Sequence, residues 1–143
     1  MTRHRLFLFA ALSLASPGAF PQYPQGEVPL FTSNVEGKVV EYSIPESRAE
    51  KLPKWDPTQT SIPLPIPKAV ARAQAWLKPR NPKIDSFIPN RIELFRVSYG
   101  RFFGLWYYTV HFDAVIGKQR LSSSDLQAVV LMDGTIVESH PGK

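Results

Sequence analysis

The sequence contains no cysteine. Disulfide bridges, thiolate nucleophiles and cysteine-based zinc or iron–sulfur sites are therefore excluded together. Histidine is scarce, at three residues: His4, His111 and His140. Gly-x-Ser-x-Gly, His-Glu-x-x-His, phosphate-loop and dinucleotide glycine patterns are all missing. The apolar run from Leu6 to Leu14 is too short for a bilayer, which takes about 20 residues. Such a chain relies on its core, and 43% apolar residues with 12% aromatic suffice to build one.

That apolar run follows Arg3, His4 and Arg5, and Ser13-Leu14-Ala15 supplies small residues at the right spacing for cleavage. Residues 1–15 are thus expected to be a signal peptide, with Ala19 a second cleavage point. The mature chain would be extracytoplasmic, periplasmic or secreted, with no stable membrane insertion. Its formal charge falls from +5 to +3, because two of the arginines leave with the signal. That balance does not call for a nucleic-acid or membrane partner.

Prolines set the organisation. Ten of the 14 lie between Pro17 and Pro67. Residues 16–30 read as an extended linker, and residues 37–44 ("GKVVEYSI") as a short strand within a proline-rich extended segment, 16–66. Trp55, Ile62, Leu64 and Ile66 are its expected anchors on the domain.

Residues 67–140 form the predicted domain. In "PIPKAVARAQAWLKPRNP", Ala69, Val70, Ala73, Trp76 and Leu77 make one apolar stripe at helical spacing. Pro67 suits the first turn, and Pro79 is expected to stop the helix at Lys78. The period then changes to two. Residues 91–99 and 105–115 alternate, 126–132 is a third strand, and Asp133-Gly134 signals a hairpin into 135–139. The loop between the second and third of these strands spans 116–125. The fold class is α+β: one helix packed on an antiparallel sheet of three to four strands.

The Ala-rich helix "AVARAQAWL", the aromatic strand "WYYTVHFDA" and the terminal "VVLMDGTIVE" resemble the PepSY and cystatin-like group of small exported domains. The resemblance covers residues 67–139. It implies an extracytoplasmic module that binds or regulates a protein or peptidase. The Gln-x-Val-x-Gly hairpin of cystatins is absent, since residues 116–125 read "IGKQRLSSSD".

Six aromatics crowd into "RFFGLWYYTVHFD", residues 101–113. Trp106, Tyr108, Val110 and Phe112 alternate onto one face, expected under the helix. Leu105 and Tyr107 fall on the opposite face, placed beside Ile92 and Leu94 of the preceding strand. That face is too apolar for solvent. Either segment 45–66 covers it or a partner does. The expected contact residues are Arg101, Phe102, Phe103, Leu105 and Tyr107, and the partner a protein or peptide. No catalytic residue, metal or cofactor is predicted. The competing enzymatic reading would use His111 and Asp113, an i, i+2 pair on one strand. A purely structural accessory domain is the third reading.

Overall fold

The computed structural model describes residues 25–142. The expected signal peptide and most of the expected linker lie outside them. The chain folds as α+β, with two antiparallel sheets and one main helix.

Strands β1 (Glu27–Val35) and β2 (Lys38–Pro45) form a hairpin. Its two turn residues, Glu36 and Gly37, both take positive φ, 51° and 77°. Two left-handed residues match the twist of the flanking strands, which is why Asn-Gly is favoured there. Glu36 tolerates this conformation poorly. Glu36→Asn is expected to raise stability by about 0.4–1 kcal/mol in urea unfolding, and a loss would show that Glu36 is held by something other than the turn.

A short helix α1 (Glu46–Ala49) follows, then helix α2 (Ile66–Arg80). Pro67 lies in the first turn of α2 as expected. The helix runs two residues past Lys78, because Pro79 sits in the last turn and Asn81 closes it, donating Nδ2–H to the Leu77 carbonyl at 3.0 Å. Ala69 and Ala73 are fully buried, so their small side chains let α2 lie close on the sheet beneath.

That sheet is a meander of β3 (Ser86–Arg96), β4 (Trp106–Ile116), β5 (Gln119–Leu131) and β6 (Ile136–Val137), in the order β3-β4-β5-β6. The Asp133-Gly134 turn joins β5 to β6. Most of the loop expected at 116–125 is strand: Gly117-Lys118 is a two-residue turn, and β5 begins at Gln119. Residues 119–125 overhang both cores and are mostly exposed, so no apolar alternation marks them. Strand β7 (Ser139–Pro141) pairs with β2 and completes the smaller sheet, β1-β2-β7. His140 is thereby held, its Nε2 2.9 Å from Ser43 Oγ.

Two cores result, one on each face of the larger sheet. On the helix side Ala69, Ala73 and Leu77 pack on Tyr108, Val110, Phe112, Ala128 and Val130. The buried Tyr108 hydroxyl donates to the Leu64 carbonyl at 2.8 Å, tying the chain before α2 to the sheet. On the other side Val28, Tyr42, Ile44, Ala49 and Leu52 cover Leu105, Tyr107, Val129 and Leu131. The cover expected from segment 45–66 thus comes chiefly from the β1-β2-β7 sheet, and the segment itself adds only Ala49 and Leu52. A row of rings, Tyr42–Phe31–Phe95–Tyr107, links the two sheets at centroid spacings of 5.6 to 6.1 Å.

Candidate functional site

The five expected contact residues separate. Leu105 is 2% exposed, Tyr107 4% and Phe102 7%, all inside the core beneath the smaller sheet. They form no open surface, because the hairpin that covers them lies outside the stretch read as the domain. Burial pushes the Tyr107 phenol up to about 12, with Tyr99 adding to it, and its hydroxyl donates to the Leu30 carbonyl. The Arg101 guanidinium is exposed and pairs with Glu46 of α1 and with Glu50 just after it. It also stands 5.0 Å over the Phe102 ring. Its visible work is to pin the turn to α1.

Of the four apolar residues among the five, only Phe103 is widely exposed, at 54%. The turn explains the split between adjacent phenylalanines. Gly100 and Gly104 take positive φ, 59° and 89°, around a single 3-10 turn at Gly100–Phe102. The chain reverses so that Phe102 points inward and Phe103 outward.

Phe103 lines a cleft of about 370 Å³ with Gly104 and Arg96 on one side and Lys54, Trp55, Asp56 and Pro57 on the other. Arg96 lies 4.6 Å over the Phe103 ring and 5.6 Å from that of Trp106. Trp55 meets Trp106 edge-on at 5.0 Å and accepts its indole N–H at the Trp55 carbonyl, 2.9 Å away. Trp55 is the anchor the sequence implied and also one wall of this cleft. The main chain closes the same corner, through an isolated bridge between Lys54 and Leu105. Neither Arg96 nor Lys54 forms an ion pair among the described residues.

The cleft continues onto β3. Ile92 pairs with Val110, Leu94 with Tyr108 and Arg96 with Trp106, so Ile92, Leu94 and Arg96 lie on the helix side of the sheet. This reverses the expected placement of Ile92 and Leu94 beside Tyr107, a place that Phe95 takes. Alternation gives each strand two faces, but pairing decides which face meets which on the neighbour. Helix α2 lies over β4 and β5, and Ile92 and Leu94 at the sheet margin stay exposed, at 36% and 37%. Among the described residues β3 is an edge strand, blunted at one end by Pro89 and the bulge at Asn90.

His111 and Asp113 share the other face of β4 but serve separate partners. His111 Nε2 stands 3.2 Å from Arg91 Nη2. The guanidinium only donates, so Nε2 accepts and the proton sits on Nδ1. Burial and then Arg91 lower the His111 pKa against the pull of Glu93, keeping the ring neutral. Asp113 accepts from Asn90 Nδ2 at 2.5 Å and from Arg120 Nε at 2.6 Å. Those two bonds, Asn90's first, hold its carboxyl below the usual range.

Among the described residues no three His, Asp or Glu side chains are grouped as a metal ion would need, and no helix is long and apolar enough to cross a membrane. No protein-family model, curated protein or solved structure matches the chain.

Proposed function

We propose that the mature chain is an exported, non-enzymatic binding module that holds an extended protein or peptide segment along β3. The observation that carries this reading is the continuous exposed row Ile92, Leu94, Arg96 and Phe103, ending in the cleft against Trp55. An apolar stripe on a free strand edge suits strand addition, in which main-chain bonds give affinity and alternate side chains give specificity. Pro89 and the Asn90 bulge obstruct one half of the edge, so the added strand pairs with Ile92–Arg96. Arg96 and Lys54, without carboxylate partners, favour an acidic residue at the cleft end. The resemblance to PepSY and cystatin-like domains adds the setting, a protein or peptidase of the cell envelope. His111 and Asp113 support the non-enzymatic reading because each is engaged with a different partner.

Selection of a displayed random-peptide library on the mature chain tests it. Enriched peptides are expected to alternate apolar residues with an Asp or Glu near one end. Arg96→Glu should weaken them by about tenfold or more, the scale of a lost and reversed charge contact, with the melting temperature unchanged. Peptides that bind wild type and Arg96→Glu alike would remove the β3 site.

A further inference from the structure

The larger sheet breaks register at one level on both sides of β4. On β3, Asn90 is extra between Pro89, opposite Phe112, and Arg91, opposite His111. On β5, His111 faces Gln127 and Asp113 faces Ser122, so Ser123 to Leu126 stand opposite the single residue Phe112. Bulges re-aim side chains and gather beside functional sites. Here they open a hollow of about 330 Å³ lined by Asn90, Arg91, His111, Ser122, Ser123 and Ser124.

The lining is rich in donors and contains no carboxylate. Asp113, just beneath, is 4% exposed and has both oxygens occupied, by Asn90 and Arg120. Glu93 faces the Arg91 Nε at 3.2 Å and the Thr109 hydroxyl at 3.4 Å. Asp125 accepts from the Ser124 hydroxyl at 2.9 Å. The nearby acids are therefore engaged. Arg91, bonded through Nε and Nη2, keeps Nη1 for a ligand. His111, with Nε2 filled by Arg91, has its Nδ1–H without an acceptor among the described residues. Ser122 and Ser124 donate to Asp113 and Asp125. The Ser123 oxygen accepts from the Asp125 amide, which leaves the Ser123 O–H and the second Asn90 Nδ2–H to complete a set of neutral and cationic donors that suits an oxyanion.

We infer that this hollow is a binding site for a tetrahedral oxyanion, the phosphate group of a small molecule. It is separate from the β3 cleft and does not depend on that reading. The volume exceeds a bare phosphate, which leaves room for an attached organic moiety.

The charged groups facing His111 are Arg91, 3.2 Å from its Nε2, and Glu93, 3.7 Å from the same atom, both of β3. His111 is neutral in the free protein, its pKa lowered. A bound dianion raises that pKa, so binding takes up a proton. Affinity then rises as pH falls from the bound-state pKa to the free-state one, and levels off below it. Sulfate is the probe for this arm because it stays dianionic throughout.

The test is titration of the mature chain with sodium sulfate, inorganic phosphate and glycerol 3-phosphate at constant ionic strength, read by amide and imidazole nitrogen NMR. Saturable shifts confined to Asn90, Arg91, His111 and Ser122–Ser124 are expected, with sulfate binding tighter toward acid. Tighter binding of glycerol 3-phosphate than of inorganic phosphate would identify a phosphorylated organic ligand, and equal binding a free oxyanion. Arg91→Gln should weaken all three by about tenfold or more. Ser123→Ala, which removes a hydroxyl that donates to no carboxylate among the described residues, should weaken them with the melting temperature unchanged. Shifts that do not saturate, that chloride reproduces, or that survive both variants would overturn the site.

Discussion

Tyr107→Ala is expected to destabilise the protein by about 3–5 kcal/mol, the range for removing a buried aromatic side chain. The ring is 4% exposed, stacks on Phe95 at 5.6 Å, and sends its hydroxyl to the Leu30 carbonyl of β1. Its removal opens a cavity where the two sheets meet and leaves that carbonyl without its donor. Tyr107→Phe isolates the hydroxyl, and should cost about 0.5–1.5 kcal/mol. Phe103→Ala is the contrast. That ring is exposed by more than half, so its loss should stay within about 0.5 kcal/mol. Urea unfolding of the three variants separates a core residue from a contact residue four positions away. Equal, small effects at Tyr107 and Phe103 would mean that the β1-β2-β7 sheet does not close over β4.

A chain beginning at residue 46, without the β1–β2 hairpin, is expected to lose cooperative unfolding. Val28, Tyr42 and Ile44 would be gone, and Leu105, Tyr107, Val129 and Leu131 uncovered. Each such burial contributes about 1.5–3 kcal/mol, against a net stability of about 5–15 kcal/mol for a domain. The surviving sheet would present an apolar face of a kind monomeric proteins avoid. The measurement is a thermal melt by near-ultraviolet circular dichroism beside the binding of an apolar dye. Dye binding with a broad, shallow melt is the expected result. A sharp melt near that of the full mature chain would show that the helix-side core folds alone.

The candidate surfaces were legible in pieces. Phe103 is expected as a contact, and Trp55 as an anchor, from sequence alone. Their meeting is not legible, because 48 residues and the whole of α2 separate them along the chain. Phe102, Leu105 and Tyr107 look like surface only while the hairpin is unplaced. β1 itself carries Pro29 near its start and shows little alternation, so it reads as linker. The hollow at His111 left still less trace. Three serines before an acidic residue look like an ordinary loop, and a bulge has no pattern of its own until the strands are paired.

Local periodicity sufficed for α2, for the inward face of β4 and for the Asp133-Gly134 turn. Each of these depends on residues close in sequence, whose spacing decides what one face of one element buries. The phase between β3 and β4, the second sheet over Tyr107, and the register breaks around Phe112 were decided only by tertiary structure. They rest on contacts such as Phe31 with Phe95 and Gln127 with Tyr42, between residues 64 and 85 positions apart. An alternating strand has two faces of fixed composition, but only its neighbours determine which one meets the helix, which the hairpin and which the solvent.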